Sequence, residues 1–90
     1  MTALEVTLLE MVLLLEKNGE KEWSHALKQM AIQYQSGQAS EAADKVRRSF
    51  GGMGSLNDLI LQTGGIPSSD NGKFDILRAN LFRLVTTQTN

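Results

Sequence analysis

Apolar residues recur at helical spacing along nearly the whole chain, and glycine punctuates each run. At about 100° per residue, the opening stretch MTALEVTLLEMVLLLEK puts Leu4, Leu8, Met11, Val12 and Leu15 on one face and Val6, Leu9 and Leu13 on a second. The spacing predicts a helix over Ala3–Lys17. Thr2 and Glu5 stand at capping-box distance, able to satisfy free backbone N–H groups at its start. Asn18-Gly19 is a suitable stop, because both residues tolerate left-handed backbone angles. A helix with two apolar faces is either sandwiched in its own fold or shared with a partner. Val6, Leu9 and Leu13 are therefore either covered by the last helix or meet another chain.

The same pattern predicts a second helix over Glu20–Gln35, with Trp23, Leu27, Met30 and Tyr34 as its stripe and Ser36-Gly37 as its end. A third, over Glu41–Phe50, is capped by Ser40 and turns Ala42, Ala43, Val46 and Phe50 inward. Gly51 reads as its left-handed terminator. A short helix over Leu56–Gln62 follows, with Ser55 as cap and Asp58 at capping-box distance, closed by Gly64-Gly65. The alternative, LILQT as a strand, lacks an obvious partner strand. IPSSDNG is a loop by composition. The last helix spans Lys73–Thr87, capped from Asp70 or Asn71, with Phe74, Leu77, Leu81, Leu84 and Val85 as its stripe, and the tail TTQTN frays. No run of period two and no internal repeat compete with this reading, so the expected fold is all-α: a small irregular bundle of four longer helices and one short one. The first two form an antiparallel hairpin.

With 90 residues the chain makes one small domain, marginal by itself. It has no cysteine, so neither disulfides nor thiolate metal sites supplement the core. That composition fits a reducing cytoplasm. Glu5 and Glu10 stand where a signal peptide carries bases, and the first apolar run breaks too early to span a bilayer. A net charge of −1 recruits neither nucleic acid nor an anionic membrane.

Chemistry-bearing residues are few. His25 is the sole histidine, predicted to point away from the Trp23 stripe toward Lys21 and Lys28, with no nearby nucleophile or carboxylate to make a catalytic pair. No calcium-loop pattern occurs. Arg47 and Arg48, with Lys45, form a small basic patch that either suits the helix dipole or meets an acidic partner. Trp23 and Tyr34 read as core, with a binding platform as the alternative.

Residues 51–58, GGMGSLND, pose the sharpest question. A glycine-rich loop leading into a helix start can hold an anion on its N–H groups, which would assign Gly51, Gly52, Gly54 and Ser55 to a binding turn aided by Arg47 or Arg48. The stretch lacks the lysine and spacing of a P-loop and the preceding strand of a dinucleotide fingerprint, and Asp58 repels an anion. As a corner it needs less: glycines allow the bend, Met53 plugs the core and Ser55 starts the next helix. FGGMGSLNDLIL, with a tryptophan upstream and F…L…LF.L downstream, resembles a family of small uncharacterised bacterial proteins sharing a phenylalanine, a GGMGS-type turn and an N-D-hydrophobic continuation. The resemblance covers Trp23 to Leu84, with Phe50–Leu61 its distinctive part. It implies a compact helical domain and a bacterial source, and hydrogen bonding within the turn for Asn57 and Asp58. Some small bacterial proteins of this kind sit beside secreted toxins as immunity partners.

The sequence thus points to a non-enzymatic, cytoplasmic interaction module, of immunity type or otherwise, with no cofactor, metal or membrane role. Its partner is another protein or a second copy, met through Val6, Leu9, Leu13, Arg47 and Arg48. The alternative is an anion or small-ligand binder at the Gly51–Ser55 turn.

Overall fold

The computed structural model describes residues 1–51 and 54–87. They form α1 (Ala3–Lys17), α2 (Lys21–Gln35), α3 (Ala39–Arg48), a single 3-10 turn (Leu56–Asp58), two short strands, β1 (Gln62–Thr63) and β2 (Ile66–Pro67), and α4 (Asn71–Thr87). The fold is mostly helical but not strictly all-α.

α1 has the expected bounds, and its start is a full capping box: Glu5 N donates to Thr2 Oγ1 at 3.2 Å, and Thr2 N donates to Glu5 Oε1 at 2.9 Å. Gly19, at φ +77°, turns the chain into α2. Asn18 itself stays right of that region at φ −99° and works through its side chain. Its amide nitrogen donates to Leu14 O at 2.9 Å and to Asp70 Oδ2 at 3.1 Å, while its oxygen accepts from Thr63 Oγ1 at 3.4 Å. One residue thus ties the end of α1 to the strand pair and to the start of α4.

α1 packs on α2 and on α4, and α3 packs on α2 and α4 from the other side. Leu4, Leu8, Met11 and Leu15 of α1, Leu27 of α2, Val46 of α3 and Phe74, Leu81 and Val85 of α4 are fully buried between them. Trp23, Met30 and Tyr34 are half-buried and pack against this core. Removing such apolar surface from water is the main stabilising term.

Between α3 and α4 the structure departs from the sequence reading. α3 starts at Ala39, with Ser40 inside it and Gln38 as a cap without a side-chain bond. The alanine after Gln38 is an excellent helix former and needs no cap to join. Gly51 is not left-handed; its N–H closes a turn on Arg48 O at 3.2 Å. The expected helix over Leu56–Gln62 stops after one 3-10 turn, and Ser55 makes no side-chain cap. The chain then extends into a hairpin, Gln62 opposite Pro67 and Thr63 opposite Ile66. Gly64 and Gly65, at φ +59° and +84°, supply the two positive values that a tight primed turn requires. The missing strand partner lay in IPSSDNG, read as loop. α4 starts two residues early, at Asn71, and the side chains of both expected caps are spent elsewhere.

Two polar side chains hold this connection. Asn71 pairs with Leu61 as a strand would, accepting from its N–H and donating to its carbonyl, both at 2.9 Å, and it also donates to Ser68 O at 2.9 Å. Arg78 donates from Nη1 to the carbonyls of Leu56, Asn57 and Leu59 at 2.9, 3.2 and 2.8 Å, pairs with Asp75, and lies 4.8 Å over the Phe74 ring.

Candidate partner-binding surface

The bundle buries half of α1 and leaves the other half open. Leu14 and Thr7 are buried on the flank turned toward α4, and Val12 and Glu5 on the flank turned toward α2. The remaining arc carries Val6, 41% exposed, Leu13, 68% exposed, and half-buried Leu9. α4 does not cover them. They stand at i, i+3 and i+7, so they form one stripe along the helix. Glu16 sits on the α1–α2 seam, accepting from Ser24 Oγ at 3.3 Å and pairing with Lys28 at 3.4 Å. At the other end of the seam Glu5 meets Gln35. Ile32 of α2 is exposed as well, but it lines a hollow with Gln29, Gln33 and, from α3, Lys45. Leu14, unassigned by the sequence reading, is buried in the core cluster, while Leu13 beside it is exposed.

The basic pair behaves differently. Arg47 Nη1 donates to Val85 O near the end of α4 at 2.9 Å, and its Nη2 meets Asp44 at 3.2 Å. Arg48 pairs with the same carboxylate. The two guanidinium groups hold the Asp44 carboxyl below the usual carboxylate range, with Arg48 the larger influence. Arg47 is thus engaged at the α3–α4 contact, whereas Arg48, its side chain 74% exposed, pairs within α3 and with exposed Lys45 keeps the patch at the surface. Arg47 and Arg48 stand in the last turn of α3, where cations suit the dipole, and Arg47 also caps a last-turn carbonyl of α4.

At the glycine corner, Gly54 is left-handed at φ +71°, and its N–H donates to Asp58 Oδ2 at 3.1 Å. Ser55 is buried, and Leu56 N reaches back to Ser49 O at 2.8 Å, closing the corner. The carboxylate occupies the donor that an anion would use. Gly52 of the proposed anion turn and Met53, the expected core plug, lie outside the described residues, as does the end of the tail. His25 is exposed on α2. Among the described residues no group of three His, Cys, Asp or Glu side chains could hold a metal ion, and no helix is long and apolar enough to cross a membrane.

A family described as "Domain of unknown function (DUF6966)" matches residues 16–69, more than half of the chain. The chain belongs to the DUF6966 family. Comparison with curated proteins and with solved structures returned no match. The DUF6966 span takes in α2, α3, the glycine corner and the hairpin, and it contains Phe50–Leu61. It ends at Ser69, so the Phe74–Leu84 part of the expected resemblance lies beyond it. Within the span fall Arg47, Arg48 and the corner; the α1 stripe precedes it.

Proposed function

We propose that this member of the DUF6966 family is a non-catalytic protein-interaction module of a bacterial cytoplasm, acting as an immunity-type protein does by covering another protein. One observation carries the reading: Val6 and Leu13 stay exposed on a helix whose other large apolar residues are buried or half-buried. A small domain gains stability from each buried leucine, so apolar side chains left together on an outer face favour a second surface. The stripe of Val6, Leu9 and Leu13 has the i, i+3, i+7 spacing with which helices dock on partners. The anion reading of the Gly51–Ser55 turn has weaker support, because Asp58 already takes the Gly54 N–H and Asp44 takes both arginines.

The experiment is affinity capture from the native source, run in parallel with the parent chain and with Leu13→Glu. A protein retained by the parent and lost with the variant supports the proposal. A parent chain that stays monomeric and retains nothing overturns it.

A further inference from the structure

A second surface, on another side of α2, carries a more specific inference. Two hollows meet at Trp23 and Gly54. One, of about 340 Å³, is lined by those two residues with Glu22 and Ala26. The other, of about 310 Å³, is lined by the same pair with Asp58, Leu59, Ile60 and their neighbours. Both lie between the start of α2 and the corner segment and share Trp23 and Gly54 in their walls. Gly54 has no side chain, and apart from its chain neighbours a Cβ there would meet nothing within 4 Å.

The charge of this groove is one-sided. Glu22 and Asp58 are both exposed, and among the described residues neither is paired with a basic side chain. Glu16, Asp44, Asp70 and Asp75, by contrast, each have a lysine or arginine partner. Each hollow thus offers one unneutralised carboxylate beside an aromatic face. That combination favours a planar cation: the ring quadrupole attracts it face-on, and a guanidinium also presents forked donors to carboxylates. An acidic segment would be repelled, and a neutral apolar one would desolvate the carboxylates without return.

We propose that the groove between Trp23 and the Gly54–Ile60 segment docks an arginine side chain of a protein partner, stacked on the indole between Glu22 and Asp58. The proposal does not rest on the α1 stripe, since Trp23 lies about 100° round α2 from Ser24, which faces α1.

The probe is a blocked oligo-arginine peptide titrated into the isotopically labelled chain, with an oligo-citrulline peptide of equal length as the uncharged control. The arginine peptide is expected to shift the Trp23 Nε1–H and Gly54 amide signals saturably, less so as salt rises, while citrulline leaves them in place. Glu22→Gln combined with Asp58→Asn should weaken binding about tenfold, as expected for two partly exposed charges; both positions are at the surface, and unchanged circular dichroism confirms the variant's fold. Equal shifts from citrulline, undiminished binding by the double variant, or shifts of the same size around the exposed acids Glu10 and Glu41 would overturn the assignment. Amide signals of Val6, Leu9 and Leu13 stay still in this titration, which separates its outcome from that of the α1 reading.

Discussion

Arg78→Met tests whether one side chain organises the connection between α3 and α4. Its guanidinium is only 15% exposed, and Nη1 serves three carbonyls, those of Leu56, Asn57 and Leu59. That nitrogen has two hydrogens, so three acceptors share two bonds, and the Asn57 contact is exposed enough for water to replace it. Hydrogen bonds to a charged group contribute about 1.5–3 kcal/mol each. The contact over Phe74 adds about 0.5–1 kcal/mol. Methionine keeps the apolar stem, so its packing survives. Because the Leu56 and Leu59 contacts are only part-buried, water recovers part of those bonds, and the net loss should be about 2–4 kcal/mol, against a total of roughly 5–13 kcal/mol for a domain of this length. In a thermal melt this corresponds to a fall of about 10–25 °C. Urea unfolding followed by Trp23 fluorescence measures the loss, and amide exchange at Leu59 and Leu61 locates it. Arg78→Lys should recover only part, since an ammonium cannot span the same carbonyls. A loss under about 1 kcal/mol, or a lysine variant equal to the parent, would refute the role given to Arg78.

Three further outcomes follow from the same structure. Leu8→Ala, at a fully buried position, should cost about 3–5 kcal/mol, whereas Leu13→Ala should stay within about 0.5 kcal/mol; paired urea titrations compare them. Gly65→Ala places a Cβ at φ +84° and should cost about 1–2 kcal/mol, with amide exchange rising at Gln62 and Thr63 before the helices respond. Asp44, Asp70 and Glu5 have carboxyls held below their ordinary values, Asp70 by the Asn18 amide and then Lys17, Glu5 by the Thr2 N–H. A carboxyl depressed in the folded state stabilises above its unfolded value near pH 4 and loses that contribution as pH falls through the folded one. The urea midpoint should therefore drop between about pH 4.5 and pH 2.5, and Asp70→Asn should shallow that drop.

Much of the fold was legible in the sequence. α1 and α2 announce themselves through four or more apolar residues at one helical phase, and their ends through Thr2, Gly19 and Gly37, whose roles are local. The buried set Ala42, Ala43, Val46 and Phe50 follows from period alone. The hairpin was not legible, because two-residue strands have no period, and LNDLILQ continues a helical pattern that only tertiary contacts interrupt. Gly64-Gly65 did carry a turn signal, one that serves a helix end or a primed turn equally well. Arg78 and Asn71 were missed because their partners are backbone groups ten to twenty-two residues away, and backbone carbonyls have no signature in sequence. The α1 stripe was seen but not resolved: a covered face and an open one have the same spacing. Trp23 was legible as an aromatic on a helical stripe, core or platform; its place beside Gly54 depends on tertiary packing that the spacing does not contain.

The account rests most heavily on the open face of α1, and a photo-reactive residue placed at position 13 tests it in the cell. Cross-linking from position 13 should yield one defined protein adduct, absent when the same group is placed at exposed position 25 on α2. No adduct from position 13, or the same adducts from both positions, would contradict it.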